Sequence, residues 1–324
     1  MGATGFTVTL ASRKAVWDMA FQDQIADTGT YATATEMLEA AGLKDWNVDK
    51  KPIYVGRKGA QIPRKFATVR ADGTPLGIVG PGYKVLQMEE AFGFGDNIVD
   101  SGDAKWERAG SLRGGALVFG CMEFAHLGIT VPGDEADGQM KPYLLMVNSF
   151  DGGSPFQGII TFVHPRCTNT FEMAVSGGHS RFRIRHTGTL EGKIQMAREA
   201  LGITFGHVQE ATEYISRLAL KHLVDDQVEA IFKEVWPISE TATEAHVEEA
   251  AATKAFELYN TSPTVAPIIG TAWGAFNAVT EYIDHVADYK EGRTNSLADV
   301  KTNSILFGTA GSRKERALKA LLAV

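Results

Sequence analysis

Apolar positions recur along this chain with two different periods, and the change of period falls near residue 190. From Lys51 to about His186, short apolar runs alternate with polar residues and are cut by glycine-containing turns. Successive side chains of a strand point to opposite faces, so a period of two reads as β-structure. Residues 53–55 make a short strand, and 66–70 and 76–79 make a hairpin across Asp72-Gly73. Residues 83–86 continue the pairing after Gly80-Pro81-Gly82. A second hairpin joins 106–109 to 116–124 across Leu112-Arg113-Gly114-Gly115, and a third joins 143–148 to 156–163 across Asp151-Gly152-Gly153. Residues 181–186 are one more extended stretch. A single helix interrupts the strands at 88–99, with Met88, Ala91, Phe92 and Gly95 on one side.

Beyond Leu190 the spacing becomes helical: Ile194, Ala197, Leu201, Phe205, Val208, Ala211, Ile215 and Leu218 advance by threes and fours. Further helices fit 227–235, 244–259, 268–285 and 314–322, punctuated by Pro237, Pro263 and Pro267. The first 30 residues show no clear period and are expected as a loose arm, with a short helix near Trp17. Thr33 or Thr35 can cap a helix at 35–41 and Gly42 can end it. The order of elements predicts an α+β fold: a curved antiparallel sheet with hairpins and a packed helix, followed by a helical C-terminal domain. The expected divisions are an arm with a short helix (1–50), a β-rich core (51–188) and a helical domain (189–324).

A chain of 324 residues can bury a large core, and no apolar run approaches the roughly 20 residues that cross a bilayer. Met1 to Leu10 lacks a basic segment followed by an apolar one, so no secretion signal is read there. Two cysteines, Cys121 and Cys167, cannot make a disulfide framework, which points to a reducing cytoplasm. Net charge is -7, but it is unevenly placed. Residues 50–120 carry 11 Lys/Arg against 7 Asp/Glu, whereas 223–260 carry 2 against 9. Screening limits the reach of remote charge to about 8 Å at physiological salt, so a local basic surface on an acidic protein can still hold phosphate.

Arg181-Phe182-Arg183-Ile184-Arg185-His186 is the sharpest motif. In a strand, Arg181, Arg183 and Arg185 line one face while Phe182 and Ile184 pack inward. Guanidinium groups about 7 Å apart roughly match successive phosphates on an extended single strand. The alternative is a solvent-facing strand with paired arginines. A second basic set is Lys50, Lys51, Arg57, Lys58, Arg64 and Lys65, interleaved with Tyr54 and Phe66, and bases stack on such aromatics. Arg70, Lys84, Lys105, Arg108 and Arg113 on the hairpins extend it.

Other chemistry is weaker. His164-Pro165-Arg166-Cys167 with His179 and His186 offers zinc-type ligands but not the spacing of a finger or ribbon, so no metal is expected. Cys167 reads as a buried small apolar residue. Gly77 to Lys84 lacks the ordered phosphate-loop pattern, and the glycines after Asn148 read as a hairpin turn. Asp96, Asp100, Asp103 and Glu107 could bind Mg²⁺ in a nuclease, or simply be solvated. No nucleophile elbow and no dinucleotide fingerprint occurs, and no cofactor is expected.

Two blocks, Thr35-Glu36-Met37-Leu38-Glu39-Ala40-Ala41-Gly42-Leu43 with Trp46, and Gly270-Thr271-Ala272-Trp273 running to Asp284-His285, resemble a broad family of phage- and plasmid-encoded proteins that carries a domain-of-unknown-function label. Gly77-Ile78-Val79-Gly80 with Tyr83, Gly110-Ser111-Leu112, Pro142-Tyr143-Leu144-Leu145 with Asn148-Ser149, Cys167-Thr168-Asn169-Thr170, and Phe182 to Gly188 extend the resemblance over about 33–322. Two departures stand out: Trp17-Asp18-Met19-Ala20 replaces a Trp-His-Gly-Leu-Gly pattern, and Phe150 stands where a histidine is common. The element order is also similar to single-strand annealing proteins of the RecT, Redβ and eukaryotic Rad type, an analogy of order and charge. These resemblances imply a mobile-element setting in the cytoplasm of a host cell and a ring or filament of identical subunits on single-stranded DNA. The expected function is therefore sequence-independent single-strand binding and annealing, without covalent chemistry. Arg181, Arg183 and Arg185 hold phosphates, helped by Lys84, Arg108, Arg113, Arg64 and Lys65. A metal-dependent nuclease and a host-factor-binding protein acting through the acidic helices are the alternatives. No membrane partner is expected.

Overall fold

The period-two segments build two antiparallel sheets rather than one curved sheet. The computed structural model describes residues 30–56, 59–100, 102, 104–124, 127–133, 139–163, 170–171, 181–187, 189, 191–192, 194–195, 210–237, 242–292 and 296–324. Strands β1 (Asp49–Tyr54), β2 (Gln61–Val69) and β3 (Pro75–Val79) form a three-stranded sheet in that order. Strands β4 (Ala104–Leu112), β5 (Leu117–Phe124), β6 (Lys141–Ser149), β7 (Phe156–Val163) and β8 (Thr170–Phe171) follow one another in a larger sheet, and β9 (Arg181–Ile184) also pairs with β7. Helices α1 (Ala34–Ala40), α2 (Met88–Gly93) and α3 (Asp96–Asp100) accompany the strands. The C-terminal part is helical: α4 through 210–220, α5 (Asp225–Val235), α6 (Ala242–Thr261), α7 (Ala272–Glu281) with a π-helical turn (Tyr282–Val286), α8 (Leu297–Phe307) and α9 (Thr309–Ala323). The fold is α+β, as the order of periods predicts.

Thr33 caps α1, its side chain accepting from the Glu36 N–H, and Gly42 follows the helix at φ 65°. The helix expected at 88–99 is instead two short ones, because Gly95 lies against Trp106. A Cβ at Gly95 would stand 2.7 Å from the indole, so this close approach needs glycine and bends the chain there. Trp106, Phe92, Met37, Leu38, Met146 and Phe156 fill one side of the larger sheet. They join without a break to Phe232, Tyr259, Trp273 and Val279 of the helices. On β5, Val118 and Met122 belong to that core, while Leu117, Phe119 and Cys121 belong to a second buried cluster with Leu145, Val147 and Ile159. Both faces of the central strands are therefore buried, as their unbroken apolar runs require.

The two sheets meet at the turn that follows β6. The Thr68 hydroxyl donates to the Phe150 carbonyl at 2.7 Å, the Tyr83 hydroxyl donates to the Ser149 carbonyl, and the Asn148 amide donates to the Leu86 carbonyl at 2.8 Å. The Phe150 N–H donates to Ala116 at 2.7 Å. Gly77 presses on the Asp151 backbone so closely that a Cβ would stand 2.4 Å from its Cα. Expectation and structure differ at 83–86: these residues form no strand.

In the helical part, charge is buried as matched pairs. Asp284 and Lys314 form an ion pair with side-chain exposures of 0% and 4%. Glu281 accepts both Ser262 and Thr264 hydroxyls. Removing one partner of a buried pair leaves an uncompensated charge, at a cost of about 3–5 kcal/mol. Lys314→Met should lower unfolding free energy by about 3 kcal/mol, read from urea denaturation followed by circular dichroism. Adding Asp284→Leu should recover much of that loss; a double variant as unstable as the two single losses added would show that the pair is not coupled.

Candidate nucleic-acid interface

Strand β9 lies at the edge of the larger sheet, its residues Arg181, Phe182, Arg183 and Ile184 opposite Ile159, Gly158, Gln157 and Phe156 of β7. The alternation expected of the motif is present. Ile184 is buried, and Phe182 packs on Phe94 and Phe156 with ring centroids 6.0 and 5.7 Å away. Arg183 and Arg185 are exposed. The Arg181 side chain lies outside the described residues.

Lys84 is brought to the same edge by the backbone. Its N–H donates to the His186 carbonyl at 2.8 Å, and His186 Nδ1 lies 3.2 Å from the Lys84 carbonyl. The imidazole stacks on Tyr83, centroids 4.8 Å apart, and the Tyr83 hydroxyl is held by Ser149. Burial pushes that phenol well above its ordinary pKa, with Asp151 adding to the effect, so it stays a neutral donor. Lys50 closes the group from the small sheet: its Nζ donates to the Pro81 and Tyr83 carbonyls at 2.8 and 3.0 Å and sits 4.9 Å above the Phe66 ring. Sequence reasoning named the arginines and Lys84 but missed Tyr83 and His186 as the residues that hold them together. Both stand in segments that carry the family resemblance, which was the available signal.

The remaining candidates divide. Arg64 and Lys65 are exposed on β2, Arg64 at φ 58° just after Pro63. Arg108 does not belong to an accessible track. A β-bulge between Trp106 and Arg108 places it opposite Cys121 of the second buried cluster, it is only 7% exposed, and it pairs with Glu107 at 2.7 Å. Arg113 is committed elsewhere. It sits at φ 54° in the β4–β5 turn, with its N–H donating to Asp299 at 3.1 Å and its guanidinium donating to Asn303 and pairing with Asp151. It thereby fastens the sheet to α8. Arg57, Lys58, Asp103, His164, Cys167, His179 and Trp17 lie outside the described residues.

Of the acids proposed for a metal, Asp96 accepts the Ala34 N–H and the Trp106 indole N–H, each at 2.7 Å, and so anchors α1 to the sheet. Asp100 is exposed at the end of α3. Among the described residues no three His, Cys, Asp or Glu side chains converge as metal ligands. Cys121 is fully buried, and burial pushes its thiol far up, which makes it inert.

The family described as Domain of unknown function (DUF932) matches residues 75–306. The chain belongs to this family. No curated protein and no solved structure matches it. The DUF932 match opens on the first residue of β3 and stops one residue before the end of α8, so β1, β2 and α9 lie outside it. Lys84 and the β9 arginines fall within the DUF932 region, and Arg64 and Lys65 precede it. No described helix is long and apolar enough to cross a membrane.

One titrating group was not legible beforehand. Glu107 is the extra residue of the same bulge, and its Oε2 is buried without a donor among the described residues. Burial and the nearby Glu123 favour the protonated acid, while Lys141 and Lys105 favour the ion; burial wins and pushes Glu107 up to about 7. The folded state thus holds a proton that the unfolded chain releases near 4.5. Stability should fall as pH rises from about 4.5 to about 7, by on the order of 3 kcal/mol, and level off above. Glu107→Gln should remove that part of the slope when urea melts are compared between pH 5 and 8. A variant whose profile parallels the parent across this range would show that Glu107 titrates normally.

Proposed function

We propose that this DUF932 protein binds single-stranded DNA through its phosphates, without reading sequence, and brings strands together for annealing in the recombination of a phage, prophage or plasmid, within the host cytoplasm. The observation that carries the reading is the edge of the larger sheet. Arg183 and Arg185 stand exposed on alternate positions, and Lys84 is fixed beside them by its backbone bond to His186. Three cations on a rigid edge suit a regularly spaced anionic backbone, and phosphate contacts position a strand while carrying no base information. Binding of this kind needs no cofactor and no covalent step.

Of the acids in the nuclease reading, Asp96 is occupied in anchoring α1. The host-factor reading draws on the acidic helices, where Asp225, Asp226 and Glu249 are exposed, yet Lys233–Glu229 and Lys254–Glu257 ion pairs temper that surface.

Each phosphate neutralised contributes about 0.7 to the slope of log affinity against log salt for single strands. Replacing Arg183, Arg185 and Lys84 together with Ala should therefore flatten the slope by roughly 2, with little effect on folding because exposed charges contribute little stability. Titration of a labelled oligonucleotide at several salt concentrations reads this directly. Unchanged affinity and slope in a folded variant would end the phosphate reading.

A ring or short filament of identical subunits is part of the same proposal, because a β-sheet edge is a surface that a neighbouring copy can cover. Light scattering should give a mass well above the 35.0 kDa of one chain. A clean monomer at micromolar concentration would exclude it.

A further inference from the structure

Two exposed apolar patches on this chain carry opposite charge at their rims. The first is one face of the three-stranded sheet. The other face of that sheet is committed: Thr68 bonds to Phe150, Gly77 meets Asp151, Val79 is buried, and Phe66 lies under Lys50. Tyr54 follows Lys50 and Pro52 onto that committed side. The register places Lys51, Ala67 and Ile78 side by side on the opposite face, and alternation adds Ile53 and Lys65. Ile78 is 63% exposed, and among the described residues none of Ile53, Ala67 and Ile78 joins either buried cluster. The charge here is basic: Lys51, Lys65 and the neighbouring Arg64 are exposed, against Asp49 as the one acid on these strands.

The second patch lies in the helical part, where the segment between α4 and α5 pairs with the residues leading into α7. His222 bridges Thr271, with the Leu223 N–H donating to Gly270 at 2.9 Å and the Ala272 N–H donating to Lys221 at 2.8 Å. Leu223 is buried by this pairing, while Leu220, His222 and Val224 stay exposed. Val224 and Ile269 are each two residues from the antiparallel bridge and lie on the same side of it. Leu220, Val224 and Ile269 are 68%, 64% and 46% exposed. The charge here is acidic, since Asp225 and Asp226 are exposed at the start of α5. The cations close by are engaged within the chain: Lys221 donates to the Leu321 carbonyl at 3.4 Å, Arg217 sits 5.8 Å over the Tyr214 ring, and Lys233 pairs with Glu229 at 2.7 Å.

An apolar surface rimmed by cations matches an apolar surface rimmed by acids, and one chain presents one of each. Two copies meeting through the same patch would set cations against cations or acids against acids. The sheet face of one copy against the helical patch of the next pairs opposite charges and buries Ile78, Val224 and Ile269 together. We propose that copies of this chain join head to tail through this contact. Different surfaces are used on the two partners, so every joined copy still presents one patch of each kind at the ends, and addition continues until a ring closes or a filament grows. This rests on the ring or filament read above and names its interface. The contact leaves the β9 edge, with Arg183, Arg185 and Lys84, open to an anionic ligand.

Light scattering tests it with two charge-reversed proteins. Lys51→Glu with Lys65→Glu reverses the sheet face, and Asp225→Lys with Asp226→Lys reverses the helical patch. The parent should exceed the 35.0 kDa of one chain, whereas each double variant should fall to it with its circular dichroism unchanged. Asp225→Asn with Asp226→Asn adds no positive charge to the start of α5 and should shift the mass in the same direction. Mixing the two reversed proteins should restore a mass of at least two chains, because reversed face meets reversed patch and native face meets native patch. The Arg183, Arg185 and Lys84 variant should keep the parent mass. Double variants that keep the parent mass would overturn this contact and leave an assembly built through another surface. Variants that fall to one chain and stay there when mixed would show that the two patches do not face each other, and would overturn it too. A Lys51 and Lys65 variant of parent mass with weaker binding of a labelled oligonucleotide would assign the sheet face to a polyanion instead. A parent of 35.0 kDa would remove the ring reading and this contact together, while the oligonucleotide titration still reports separately on the phosphates.

Discussion

The bond from the Thr68 hydroxyl to the Phe150 carbonyl fixes how the small sheet sits on the large one, and most of what lies at the candidate interface follows from that seat. Around this bond, the turn after β6 spends its carbonyls, its amide and its carboxylate on different parts of the chain. Ser149 holds Tyr83, Phe150 holds Thr68 and Ala116, and Asp151 holds Arg113. Buried polar groups are costly when left unmet and strong when met, so such a junction tolerates few alternative arrangements. Lys84 inherits its position from it: the residue before it is bonded to the turn, and its own backbone is bonded to His186. A cation on a flexible side chain is thereby presented from a fixed point.

Charge is distributed by the same logic of commitment. The basic residues that sequence pattern groups together are not equivalent once folded. Arg108 and Arg113 are held by acids and serve the interior, Lys50 is spent on two carbonyls, and Arg183, Arg185, Lys84, Lys65 and Arg64 remain at the surface. An overall charge of -7 does not oppose an anionic ligand there, because the acids of α5 and α6 act only over short distances in salt.

Much of the fold was legible in the sequence because it depends on local chemistry. The hairpin turns at Asp72-Gly73 and after Ser149, the capping of α1 by Thr33, and the alternation around Ile184 all appear where the pattern places them. What was not legible depends on partners distant in sequence. Gly95 splits a helix because of Trp106, and the pattern contains no trace of that contact. Arg108 leaves the face of Trp106 for that of Cys121 because of a bulge at Glu107, which shifts every alternation argument beyond it by one residue. The helix α8 was overlooked although Ser296 and Asp299 form a reciprocal cap at its start, a short signal without a strong apolar period behind it. Arg113 reads as a hairpin cation in the sequence because its partners Asp299 and Asn303 lie far along the chain.

Among the described residues, β9 is bonded to β7 on one side only, and its outer row of N–H and C=O groups belongs to an open sheet edge. Open edges invite strand-to-strand joining between molecules, and like charges along them are a common safeguard. Arg183 and Arg185 stand exposed along it. Whatever is seated against this edge therefore meets guanidinium groups before it reaches the backbone, which selects a neighbour that brings acidic side chains or a polyanion with it.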